Sequence, residues 1–165
     1  MHTAQYKSPL GMLEFSFLEN QLVHLTFDEK AAQHWRTRHF QNRDAKPMAL
    51  PSQYIKDLDH YFRGEPVTFQ WPISFIGTPF QIKVWTKLQN IPHGQLSTYK
   101  KIAEALDSKA YRAVGQAVKR NPIVIVVPCH RVLGTHGLGG YSGGLNIKRL
   151  LLELEGAKLS PTHYA

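Results

Sequence analysis

The stretch Val126–Gly134 reads V-V-P-C-H-R-V-L-G and holds the chain's single cysteine, Cys129, followed at once by His130 and Arg131. A thiol is a strong, soft nucleophile only as the thiolate, and an ordinary pKa of about 8.5 leaves little thiolate at neutral pH. A base or positive neighbours must therefore help it. Pro128 sets a turn that can present the sulfur, and His130 supplies an imidazole. Adjacency makes a direct Cys129–His130 hydrogen bond awkward, so a bridging water is the better proton route. The imidazole in turn needs a group to orient it. Glu155, at the C-terminal end of the last expected helix, is one candidate, because a carboxylate there opposes the helix dipole and sits better against a cation or donor. Plain readings stand beside these. A lone cysteine is most often a small buried hydrophobe, and a glutamate in that place is an ordinary surface side chain.

One cysteine excludes an intramolecular disulfide and a thiolate zinc cluster, and it points to a reducing compartment. His24, His34, His39 and His60 alone are a weak basis for a metal site, so none is expected. The opening M-H-T-A-Q-Y-K lacks the apolar segment of a signal peptide, and the longest aliphatic run, Ile123–Val127, is too short to span a bilayer. The expectation is a soluble intracellular protein, large enough at 165 residues for one large or two small cores.

The formal net charge of +8 is unevenly placed. Residues 1–73 hold eight Lys/Arg and eight Asp/Glu, whereas residues 74–165 hold twelve and four. A one-sided basic excess suggests a nucleic-acid face on the second half and a neutral helper beside it. A basic surface kept for solubility is the plain alternative.

The first half reads as a β-meander, with strands at Thr3–Lys7, Leu13–Leu18 and Leu22–Phe27 separated by S-P-L-G and E-N-Q turn signals. A helix is expected over Ala31–Phe40 and another over Ser52–Phe62, the latter with Tyr54, Ile55, Leu58 and Tyr61–Phe62 on its stripe. Phe69–Trp71 reads as a further strand or an extended linker. Gly64, Pro66 and Pro72 place the domain boundary near 70–77, giving domains of 1–73 and 74–165. The second half reads as mainly helical. Thr78-Pro79 is a cap and first-turn proline for a helix with Phe80, Val84, Trp85 and Leu88 at core spacing, closed by I-P-H-G at 91–94. Ser97 or Thr98 can cap a short helix over Tyr99–Leu106. A second runs over Ala110–Arg120 and stops before Pro122. Ile123–Val127 then reads as a buried strand leading to the cysteine turn. Gly137–Gly144 is a glycine-rich loop. A last helix, about 145–155, places Ile147, Leu150, Leu151 and Leu154 on one face, with Gly156 as its cap.

Two short helices joined by a turn of about four residues have helix-turn-helix spacing. On the second, Val114, Ala117 and Val118 can face the core, which leaves Tyr111, Arg112, Gln116 and Lys119 outward. Lys109, Arg112, Lys119 and Arg120 offer phosphate attraction. Gly115 and the alanines keep that face low. A helical hairpin with a solvated basic face would look similar.

P-C-H-R-V at 128–132, Y-S-G-G at 141–144, R-A-V-G…N-P from Arg112 to Pro122, G-T-P-F-Q-x-x-V-W at 77–85 and I-P-x-G at 91–94 together resemble the O6-alkylguanine-DNA alkyltransferases. The resemblance covers about residues 75–156. The first 70 residues match that family only in size and strand-rich character. It implies an α+β fold, with a ribonuclease-H-like N-terminal α/β domain and a mainly helical C-terminal domain. It also implies a cofactor-free reaction in which a thiolate takes the alkyl group from O6 of guanine in double-stranded DNA, once per molecule, with O4-alkylthymine as a second candidate substrate.

By similarity, Cys129 is the acceptor, His130 its base through water, and Glu155 the group that orients His130. Arg112 corresponds to the arginine that fills the gap left by an extruded nucleotide, since O6 lies inside the stacked duplex. A helix entering the minor groove makes sense of its small residues. Tyr99 matches the tyrosine that contacts the flipped base. Tyr141 and Ser142 match the loop that closes over it, Val132 a backbone acceptor for its exocyclic amine, and Asn121 a hinge between the helix and the cysteine turn. Ser97, Thr98, Lys109, Tyr111, Gln116 and Lys119 complete the expected DNA-facing set. Gln116 stands where many relatives have glycine and Val124 where some have proline, which affects the expected choice of adduct size. The resemblance leads to a monomer without a membrane anchor, in the cytoplasm of a bacterium or the nucleus of a nucleated cell. A DNA-binding module without chemistry and a cysteine hydrolase are the competing readings. Retention of Cys129 opposes the first, and the Cys-His adjacency opposes the second.

Overall fold

The computed structural model describes residues 1–41 and 44–164. They form two compact units, which divide between Phe75 and Ile76.

In the first unit β1 (His2–Ser8), β2 (Gly11–Leu18) and β3 (Gln21–Thr26) form an antiparallel meander. The short β4 (Lys46–Pro47) adds in parallel beside β1, giving the order β3-β2-β1-β4. Glu19 and Asn20 close the β2–β3 hairpin with φ of 48° and 64°, the two left-handed residues that a twisted hairpin favours. β2 buries both of its faces: Leu13, Phe15 and Phe17 alternate with Glu14 and Ser16. Helix α2 (Ser52–Phe62) covers the aromatic face. Its Tyr54 lies 5.7 Å from the Phe17 ring and stacks at 4.1 Å on Trp71, whose Nε1 donates to Asp57 at 2.8 Å. Ile55, expected on the buried stripe, is 41% exposed, because Tyr54, Leu58 and Tyr61 already define the inward face. Helix α1 (Glu29–Phe40), capped by Asp28, covers the polar face. There Trp35 stacks on His24 at 4.5 Å and Arg36 donates to Ser16 Oγ at 3.4 Å. Phe69–Trp71 forms no strand. The pairing with β3 falls at Ile73, where Leu22 bonds to Pro72 O at 2.8 Å and accepts from Ser74 N at 3.0 Å.

The second unit holds α3 (Pro79–Leu88), α4 (Tyr99–Ala105), α5 (Tyr111–Lys119) and α6 (Leu145–Leu154). Thr78 and Gln81 form a reciprocal capping box on α3, with Pro79 in the first turn. Val84, Trp85 and Leu88 are buried as expected, but Phe80 is 36% exposed: it stands in the first turn, where the helix has not yet met its neighbours. Trp85 Nε1 donates to Ala117 O at 2.8 Å and so ties α3 to α5. Gly77 lies against the same indole; a β-carbon there would sit 2.6 Å from the ring.

Residues 123–127 are buried but do not form the expected strand. Asn121 bonds to both ends of the segment: its Oδ1 accepts from Ile123 N at 3.0 Å and its Nδ2 donates to Val127 O at 2.7 Å. The chain curls between these two bonds, with Val127 N donating to Ile123 O at 3.0 Å and Ile125 at φ +70°. A β-branched residue in that region costs on the order of 1–3 kcal/mol. Burial of Ile125 to 1% exposure offsets this with about 1.5–3 kcal/mol.

Candidate active site

The curled segment delivers the chain into a single 3-10 turn, Cys129–Arg131, whose three residues are all buried. The next two residues form β6 (Val132–Leu133), which pairs in parallel with β5 (Ser97–Thr98). Thr98 is also the N-cap of α4, accepting from Lys101 N at 3.1 Å. The cysteine turn is thus tied by backbone to the start of the first helix of the pair, where Tyr99 stands.

His130 is 0% exposed, and its Nε2 lies 2.6 Å from Glu155 Oε1. Glu155 is buried too, not the surface glutamate that its position alone suggested. Its carboxylate receives Arg131 as a fork, Nε on Oε2 and Nη2 on Oε1, both at 2.9 Å. Gly94 N donates to Oε2 at 3.2 Å, and Arg131 Nη1 reaches Ile91 O at 2.6 Å. The I-P-H-G segment at 91–94 is therefore part of the same network. Burial alone would raise the Glu155 pKa, but the hydrogen bonds and charges of His130 and Arg131 outweigh it and hold the carboxyl well below its usual range. A permanently ionised carboxylate can only accept. His130 must then carry its proton on Nε2, which leaves Nδ1 as the lone-pair nitrogen. Nδ1 is buried and makes no protein hydrogen bond among the described residues. Burial lowers the His130 pKa; the Glu155 bond opposes this, and Arg131 and Lys148 reinforce it.

Cys129 is 5% exposed, and burial pushes its thiol up, against a hydrogen bond from Asn121 and the positive charge of Lys148. Tyr99 and Tyr141 are raised by burial as well, each with a further contribution from Cys129. Both phenols stay protonated near neutral pH. Gly139, at φ +74°, lets the loop pass Tyr99 so closely that a β-carbon would fall 2.9 Å from the hydroxyl. Among the described residues no three His, Cys, Asp or Glu side chains converge as metal ligands.

On α5, Val114, Ala117 and Val118 face inward. Tyr111, Arg112, Gln116 and Lys119 are exposed, as are Lys109 and Arg120 beyond its ends. Nothing lies within 4 Å of where a β-carbon on Gly115 would be. Ser97 and Thr98 are half-buried in β5, and Ser142 is exposed on the loop.

The carbonyl of Val132, expected to face a base, accepts from Lys148 Nζ at 2.6 Å, which uses one of its two lone pairs. Lys148 also corrects the last helix. The buried face of α6 is Lys148, Leu151 and Leu152, while Ile147, Leu150 and Leu154 are only half-buried. Three consecutive leucines at 150–152 allow either register, and a lysine on the stripe argues for the wrong one. Lys148 is absent from the residues singled out in the sequence, whereas Arg131, expected to place its charge near the sulfur, spends its guanidinium on Glu155 and Ile91 O.

Residues 79–157 match the model of the 6-O-methylguanine DNA methyltransferase DNA-binding domain, and residues 1–75 match that of its ribonuclease-like domain. The chain belongs to the 6-O-methylguanine DNA methyltransferase family. Within that family, the methylated-DNA–protein-cysteine methyltransferase of Saccharolobus solfataricus is 38% identical over 154 residues, 93% of this chain and 95% of its own. The constitutive enzyme of that name from Bacillus subtilis is 42% identical over 152 residues, covering 90% and 92%. The mixed α+β architecture is that of the family's solved structures. Mycobacterium tuberculosis OGT in complex with DNA superposes with a TM-score of 0.82 over the whole of both chains at 36% identity. The Pyrococcus kodakaraensis methyltransferase gives 0.74 at 31% identity, over 94% of this chain and 99% of that one.

Proposed function

We infer that this chain repairs DNA directly, moving an alkyl group from O6 of guanine to Cys129. The single observation that carries the assignment to Cys129 is the buried relay behind it, in which the Arg131–Glu155 ion pair fixes His130 with a free Nδ1. Family membership supports DNA repair by alkyl transfer to a cysteine, and this chain has one cysteine.

In this reading His130 Nδ1 takes the thiol proton through a water, since neutral imidazole is the form that burial favours. The thiolate attacks the alkyl carbon. The S–C bond forms, the C–O6 bond breaks, and its electron pair passes to the purine. Tyr99, kept protonated by burial, donates to the purine as negative charge builds on it. The thioether does not regenerate, so each molecule acts once. The α4–α5 pair is the DNA-binding element. Arg112 takes the place of the nucleotide that leaves the stack, and Lys109, Tyr111, Gln116 and Lys119 contact the groove and phosphates with Ser97 and Thr98. Tyr141 and Ser142 cover the base, and Asn121 holds the cysteine turn to α5. No metal or cofactor has a role. The described helices include none long and apolar enough to cross a membrane, and we place the protein with the DNA it repairs, as a monomer.

The test is intact and peptide mass spectrometry after mixing with a duplex carrying one O6-methylguanine. One methyl on the Cys129 peptide, with stoichiometric loss from the DNA, is expected. Cys129→Ser should bind the duplex and leave the methyl in place. Methyl gained elsewhere, or none with tight lesion binding, would contradict the assignment.

A further inference from the structure

Lys148 is a cation on α6 with a side chain fully withdrawn from solvent. Among the described residues no carboxylate lies within ion-pair distance of it. A buried ammonium without a counter-ion is costly and needs a compensating arrangement. Here the compensation is two carbonyls: Nζ donates to Val132 O at 2.6 Å and to Gly140 O at 3.1 Å. They come from different segments. Val132 directly follows the cysteine turn, and Gly140 lies in the glycine-rich loop beside Tyr141. One side chain thus ties the loop to the turn.

The loop is closed. The cavity that Cys129 shares with Val118, Lys119, Gly140, Tyr141 and Ser142 measures about 10 Å³, no more than one water needs. The Tyr141 hydroxyl is buried and bonds to no protein atom among the described residues. With Cys129 5% exposed, that space as it stands offers no room for a purine against the sulfur. The acceptor expected for its exocyclic amine, Val132 O, is the atom that Lys148 holds most tightly.

We propose that Lys148 is a positioning residue of the transfer reaction, a buried latch that holds the glycine-rich loop shut against the cysteine turn and releases Val132 when the damaged base enters. This rests on Cys129 being the alkyl acceptor. Val132 O has two lone pairs, so it takes the amine beside Lys148 or in its place, and the carbonyl is satisfied in both states. The released ammonium stays beside the sulfur, where the forming thiolate gives it the anionic neighbour that it lacks in the closed state.

The experiment compares wild type, Lys148→Met and Lys148→Arg as full chains. Amide hydrogen exchange of residues 134–144 is read without DNA, and transfer is timed on the O6-methylguanine duplex. In Lys148→Met the loop should exchange about tenfold faster or more, with α5 and Leu151–Leu152 unchanged. Transfer should slow by about tenfold or more, because the thiolate then forms without its ammonium neighbour, and Lys148→Arg should recover both in part. Wild-type loop exchange in Lys148→Met, or protection lost evenly across α5 and α6, overturns the latch. If Lys148→Met does not fold, the ammonium nitrogen signal of Lys148 is followed in Cys129→Ser bound to damaged and to undamaged duplex. The latch requires that signal to move with the lesion alone; identical signals in both complexes overturn it. Methyl found on a residue other than Cys129 in wild type would overturn the reading beneath. The loop exchange, measured without substrate, separates the two failures.

Discussion

Arg131 grips Glu155 inside the protein with two parallel hydrogen bonds of 2.9 Å, and the same carboxylate holds His130 at 2.6 Å. The pair makes Glu155 a fixed anion, and the fixed anion sets the tautomer of the imidazole next to the thiol. Arg131→Met takes both guanidinium donors from that anion. Breaking a buried ion pair from one side costs about 3–5 kcal/mol. Urea unfolding should show a loss of that size, with Arg131→Lys in between because lysine has no fork.

Glu155→Gln separates orientation from charge. The amide fills the same space but can donate as well as accept, so His130 is free to place its proton on Nδ1. Transfer should slow by about 10²–10⁴-fold, with lesion binding nearly unchanged. The stability profile should change too. The folded pKa of Glu155 is depressed, so its contribution is present above the unfolded carboxylate value and is lost as pH falls through the folded one. Glu155→Gln should therefore flatten acid unfolding below about pH 4. An unchanged acid limb would mean that the carboxylate is not held as described.

Arg112 and Lys119 stand exposed on α5 and should be distinguishable by what they lose. Lys119→Ala should weaken binding to damaged and undamaged duplex alike and lower the salt slope by about one. Arg112→Ala should slow repair in duplex DNA more than reaction with a free base analogue, because only the duplex needs a nucleotide replaced in the stack. Equal losses on both substrates would count against a part in extrusion.

His24 gives the first unit its own acid sensitivity. Burial, with help from Arg36 and His39, lowers its pKa to about 3, and its ring stacks on Trp35 at 4.5 Å. A depressed histidine contributes stability that is present above its unfolded value, about 6.5, and is lost as pH falls toward the folded one. At pH 4 the loss is on the order of 3 kcal/mol. His24→Gln should remove this slope between about pH 6 and 3, at the cost of the stack, in a denaturant series run across that range.

Local pattern determined a good part of this protein. The meander is legible because alternation and turn residues agree, and Thr78-Pro79 marks the start of α3 because a capping oxygen and a proline act within one turn. The helix pair is legible from its inward Val114, Ala117 and Val118. The motifs around Cys129 pointed to the chemistry. Tertiary structure alone decided what those motifs touch. Glu155 reads as a surface residue until α6 lays it against His130 and Arg131, 25 and 24 positions away in sequence. Ile123–Val127 reads as a strand because β-branched residues favour one, but Asn121 bonds to both ends of the segment and the chain curls between them. Lys148 is hidden for the opposite reason. A lysine normally signals solvent, and only the carbonyls of Val132 and Gly140, brought together by the loop, can keep an ammonium inside.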